Sequence, residues 1–168
     1  MRWIVYIVAA LAVLVVIMAL VGAMLPKAHS VSRTVQVAMP PAALYGLLSD
    51  VSQYQSWRTD VTSLQRLPDK DGLPAWVEET GGMKVPMRFE KMDAPSRLVA
   101  RIDSTTLPFG GMWTYMISPS AAGSELTITE DGEVSNVFFR VMSRFVFGHY
   151  ATMDAFLANL KRREAGKK

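Results

Sequence analysis

Two titratable residues in this chain fall on otherwise apolar faces: His149 and Glu130. From about Asn136 onward, Phe138, Met142, Phe145, Met153, Phe156 and Leu160 recur at the helical period. His149 lies in the same stripe, so its imidazole is expected to face the interior. Glu130 continues the row of Leu126 and Ile128 at the period of a strand and faces inward with them. A carboxylate there needs a partner or must give up its charge. Together the two side chains could polarise a carbonyl or move a proton near neutral pH, with Tyr115 on a neighbouring strand as a hydrogen-bond donor. The same residues also read as a satisfied core histidine and a structural salt bridge of Glu130 with Arg140 or Arg144. Spacing leaves both open.

A second candidate is Trp57-Arg58, where the chain turns out of two short helices. The indole suits the closure of one end of a domain, and the guanidinium suits a ligand's carboxylate or phosphate. Leu107-Pro108-Phe109-Gly110-Gly111 reads as an apolar loop, able to cover a cavity or dip into a membrane. Phosphate-cradling glycine loops, dinucleotide fingerprints and HExxH are missing from the sequence, and with two histidines and no cysteine no spacing suits a metal. No cofactor is expected.

These residues depend on the elements that hold them. Trp3 to Leu25 is apolar or glycine throughout, enough for about 35 Å of helix at ~1.5 Å per residue, and reads as one transmembrane anchor. A cleaved secretory signal, with Val21-Gly22-Ala23 as its small-residue site, is the alternative, but its apolar core would be only about 7 to 15 residues long. Arg2 and the terminal amine nearly balance Lys27 and Arg33, so the side of the following domain is open, leaning extracytoplasmic. The expected organisation is an anchor with its short N-tail at 1–26, a linker at 27–30, a domain at 31–163 and a basic tail at 164–168.

Within the domain, Val31, Val35 and Val37 mark a strand, and Pro40-Pro41 opens a helix carrying Leu44, Leu47 and Leu48. A short helix follows from Val51 to about Ser56. About six strands come next between Asp60 and Asp131, separated by Asp71-Gly72, Gly81-Gly82 and Pro119 to Gly123, and then one long amphipathic helix interrupted in composition by Gly148. This order fits an α+β domain whose curved antiparallel sheet wraps the last helix. The formal net charge of +3 owes much to Lys161, Arg162, Arg163, Lys167 and Lys168. Elsewhere the charges are mixed and no basic stripe alternates with aromatics, which argues against nucleic acid.

Asp50-Val51 with Tyr54 and Trp57-Arg58, the run Gly110 to Tyr115, Thr129 to Val134, and Arg140 to His149 resemble the polyketide cyclase/dehydrase-like proteins of the START-related helix-grip superfamily, SRPBCC. The resemblance covers nearly everything after the anchor. It implies a helix-grip fold with a mainly apolar cavity between sheet and helix. The cavity walls would then include Trp57, Arg58, Met87, Phe89, Trp113, Tyr115, Met142, Phe145 and Met153, with Met83 on the same expected face. A filled core is the plain alternative for these residues. Three functions are compatible: membrane-tethered binding of a hydrophobic small molecule or lipid, a cyclase- or dehydratase-like enzyme using His149 and Glu130, or a non-catalytic interaction domain contacting a partner or bilayer through Phe139, Phe147 and the basic tail.

Overall fold

The computed structural model describes residues 2–148 and 150–166. Helix α1, Arg2–Met24, is unbroken and apolar on all sides, so no face is selected for packing along most of its length. By length and composition it can cross a membrane. Strand β1, Ala28–Val37, begins almost at once. It takes in most of the segment expected to be a linker, because Ala28, His29 and Ser30 pair with Glu133, Gly132 and Asp131 of the last strand.

Pro41 opens α2, Pro41–Ser49, where its missing N–H costs nothing, and Leu44 and Leu48 turn into the core. Asp50 then accepts from the Ser52 amide to start a 3-10 turn, Val51–Gln53, that runs into α3, Tyr54–Trp57. Six strands follow: β2, Val61–Lys70; β3, Leu73–Thr80; β4, Met83–Asp93; β5, Arg97–Ile102; β6, Phe109–Ser120; and β7, Gly123–Val134. They form one antiparallel sheet in the order β1-β7-β6-β5-β4-β3-β2. The β2–β3 turn places Asp71 and Gly72 at φ 53° and 75°, the left-handed region that this pair tolerates best. The outer strand β2 contains Pro68 and shifts register twice against β3.

The expected single long helix is broken. Asn136 accepts from the Phe138 and Phe139 amides to cap α4, Val137–Met142, which passes into a π-helical turn, Ser143–Phe147. Gly148 follows with φ 74°, a conformation side chains resist, and α5, Ala151–Ala165, starts on a new course. Of the two halves, α5 enters the core through Met153, Phe156, Leu157 and Leu160, while α4 meets the sheet at its edge, where Phe139 lies 5.9 Å from Phe109, ring centre to ring centre. Phe145 therefore lies outside the core at 66% exposure, and Met83, at the start of β4, is 38% exposed instead of facing inward.

The core between sheet and α5 is aromatic. Trp76, Phe89 and Phe156 are almost wholly buried with Leu126 and Ile128. Trp76 sits 5.0 Å from Phe89, ring centre to ring centre, and Trp57 meets Phe156 edge-on at 5.4 Å. Such contacts stabilise beyond the area they bury, by roughly 0.5–1.5 kcal/mol each.

Candidate functional site

At one end of the core, Arg58 is buried with two acids. Its guanidinium bonds both oxygens of Glu78 at 3.2 Å and Asp60 at 2.6 Å, while Trp76 donates to Glu78 at 3.1 Å. Burial alone would lower the Arg58 pKa, but Glu78 and Asp60 more than reverse this and hold the cation. Asn159 of α5 ties in the same corner, donating to Asp60 at 2.6 Å and accepting from Thr59. Thus Arg58 and Trp57 brace α3 against α5. Phe89, Tyr115 and Met153 are packed in the same interior, with Met87 and Trp113 partly buried against it. Burial also pushes the Tyr115 hydroxyl well above its ordinary range.

The other end differs. Where α1 runs into β1 and α4 separates from α5, an open groove of about 520 Å³ is lined by the apolar Leu25, Pro26, Val31 and Val134. Lys27, His29, Ser30, Arg140, Ser143, Arg144 and Tyr150 are its polar lining residues. A smaller groove, about 290 Å³, lies between β1 and α5 beside Arg33 and Asp154.

His29 on the wall of the larger groove places Nε2 3.5 Å from Glu130 Oε1. Strand register makes the pair: His29 stands opposite Gly132, two residues beyond Glu130 on β7. A Cβ on Gly132 would overlap the imidazole, so a glycine there gives the ring its seat. Desolvation raises the Glu130 carboxyl to about 7, against a hydrogen bond from Trp113 that pulls it down, and Glu130 Oε2 is buried without a hydrogen-bond partner among the described residues. Desolvation lowers His29 from its ordinary value, partly offset by Asp131. Both groups favour the neutral form, so the pair can hold or pass one proton near neutral pH.

Glu130 faces inward as its row implies, but Arg140 is engaged elsewhere. The Arg140 side chain is buried and donates to four carbonyls: Val134 at 2.9 Å, Gly22 at 2.8 Å, Leu25 at 3.2 Å and Ser135 at 3.0 Å. Gly22 and Leu25 are at the C-terminal end of α1, where carbonyls lack helical partners and a cation is favoured. Beside them Gly22 touches α4 so closely that a Cβ would collide with the Val137 carbonyl oxygen. Arg140 and Gly22 thus fix the domain to the apolar helix. His149 lies outside the described residues, as do Lys167 and Lys168 of the basic tail. Met142 is partly buried on α4, and Phe145 projects from the π-helical turn. Sequence reading missed His29, Gly132 and Trp76; of these only His29 carried a chemical signal, being a titratable residue close after an apolar span.

Among known proteins, residues 28–164 match the family described as polyketide cyclase / dehydrase and lipid transport, and the chain belongs to that family. No curated protein sequence matches it. The fold is START-like. TTHA0849 from Thermus thermophilus is similar at 19% identity and TM-score 0.66, over 83% of this chain and 99% of that one. A START superfamily protein from Mycobacterium smegmatis is similar at 16% identity and TM-score 0.64, over 83% and 99%. The di-domain ARO/CYC StfQ from the steffimycin biosynthetic pathway matches at 15% identity and TM-score 0.62, over 83% of this chain and 50% of that one. At these identities the likeness is one of fold.

Proposed function

We propose that the chain is a membrane-tethered binding protein for a hydrophobic small molecule or lipid, taken up at the groove beside the end of α1. The observation that carries this reading is the groove's position and mixed lining: Leu25, Pro26 and Val31 offer apolar surface next to a helix able to span a bilayer, and Lys27, His29 and Arg144 offer polar contacts in the same groove. An amphiphile leaving the bilayer would find both there. The family's lipid-transport description and START-like fold support the same class of ligand. Behind this mouth, the partly buried Trp113 and Met87 are the inner surface a longer ligand would reach by displacement.

The test uses the full chain in lipid nanodiscs with a diazirine-bearing fatty acid as probe. Photolabelling should concentrate on peptides containing residues 25–31 and 134–144, and Val31→Trp, which adds bulk on the strand face that carries His29, should reduce it several-fold. Labelling spread along α1 and indifferent to Val31→Trp would count against the proposal.

One observation favours a second reading, cyclase- or dehydratase-like catalysis: a carboxyl raised to about 7 beside an imidazole is poised for acid–base work. Turnover of an apolar substrate that survives both Glu130→Gln and His29→Ala would remove these residues from that role.

A further inference from the structure

The segment that leaves the sheet after β7 descends along α1. The Val134 amide donates to Lys27 O, just beyond the apolar span. Ser135 and Asn136 then turn the chain at Pro108, and Val137 reaches the level of Gly22, inside the span. At ~1.5 Å per helical residue, Gly22 lies roughly 4–5 Å below the last apolar residue, Leu25. From there α4 and the π-helical turn carry Phe138, Phe145 and Val146 outward at 39%, 66% and 62% exposure, before Gly148 returns the chain to α5.

The charges on this segment fit the same level. Arg140 is buried and engaged with four carbonyls. Arg144 is exposed on the turn, long enough to keep its head among lipid headgroups while its stem lies in apolar surroundings. The helix that carries this exposed apolar surface packs against α1 at Gly22, and on α1 Leu20 and Met24 are 62% and 87% exposed. A patch of this size on a water-facing domain would be costly, but here it adjoins a surface that already belongs in hydrocarbon.

We infer that α4 and the π-helical turn form a second membrane-seated element, with Phe138, Phe145 and Val146 in the acyl–headgroup boundary of the bilayer that α1 spans. This rests on the tether reading above. The domain then stands on two supports joined by Gly22 and Arg140, and its groove faces the lipid in a fixed orientation. A helix in this position gains affinity with the apolar area it buries and with the attraction of its cations to anionic lipid.

The chain has no native cysteine, so single spin labels report without background. Labels at Leu14→Cys, Phe145→Cys, Val146→Cys and Gln65→Cys are compared in full-length protein reconstituted in phosphatidylcholine/phosphatidylglycerol vesicles, through collision with oxygen and with a water-soluble nickel complex. Leu14 reads the span and Gln65 the aqueous edge of the sheet. The inference expects the oxygen-to-nickel ratio at 145 and 146 to be several-fold above that at 65 and below that at 14. Values at 145 and 146 equal to that at 65, with 14 in lipid, overturn the second support and leave the tether intact. Protection from both reagents at 145 and 146 overturns it in favour of contact with a second copy. A label at 14 that behaves as in water overturns tether and support together.

Discussion

Replacing Glu130 with glutamine isolates the energetic consequence of placing a carboxyl beside His29. The folded-state pKa is raised to about 7 from an ordinary value of 4.5, so between these values the folded chain keeps a proton that the unfolded chain has released. Stability contributed by this group is therefore fully present below about pH 4.5 and falls as pH rises through about 7. A shift of this size corresponds to at most about 3 kcal/mol, of which about 2 to 3 is expressed between about pH 5 and pH 8. Water entering the groove reduces that figure. His29 acts in the opposite sense, since its lowered pKa makes the unfolded chain the better proton binder in the lower part of the window. The informative quantity is thus the difference between wild type and Glu130→Gln. Glutamine keeps an acceptor for Trp113 and carries no charge at any pH. Urea unfolding of the full chain in detergent micelles, followed by tryptophan fluorescence between about pH 5 and 8, should show Glu130→Gln gaining on wild type by about 1 kcal/mol or more toward the alkaline end. If the stability of Glu130→Gln minus that of wild type stays constant, or falls, as pH rises, the argument that Glu130 is buried neutral is refuted.

Gly132→Ala should push the His29 ring off its seat, since the new methyl would overlap imidazole atoms, and so weaken the coupling between the two groups; the imidazole chemical shift of His29 should then titrate independently of Glu130→Gln. Arg58→Met leaves Glu78 buried opposite an uncharged side chain and should cost about 3–5 kcal/mol in urea unfolding, most of which Arg58→Met with Glu78→Gln should recover. Gly22→Leu forces α1 away from the Val137 carbonyl, with an overpacking cost of about 1–3 kcal/mol, and should expose Asn136 to Ser143 to limited proteolysis in nanodiscs while residues 61–134 stay protected.

The sheet is readable because its strands alternate cleanly: Leu126 and Ile128 are fully buried between half-exposed Glu125, Thr127 and Thr129. The start of the first strand escapes sequence reading, since Ala28, His29 and Ser30 have no apolar alternation and are strand only through pairing with β7. That one long-range register supplies the partner of Glu130. The broken helix follows the same logic. Periodicity aligns Phe145 with Met153 and Phe156, but the phase is carried across Gly148 only while the helix is continuous; once it turns, Phe145 has no reason to share their face. Arg58 stands out as unusual, yet its acids lie apart in sequence, Asp60 close by and Glu78 on β3, and nothing local marks Glu78 as the partner. Arg140 is expected from sequence to meet a carboxylate. Its actual acceptors are backbone carbonyls, which every residue possesses and no pattern of side chains reveals.

The irregular outer strand β2 bears on how such molecules would coexist. Chains tethered to a bilayer as proposed would meet one another in two dimensions, at similar heights, so free sheet edges would be brought level and collide repeatedly. Pro68 removes a backbone donor from that edge, and the two register shifts spoil its regular spacing, while Arg66 and Lys70 with their partners Asp69 and Asp103 keep it charged. An edge so built resists pairing with the same edge of a neighbouring copy.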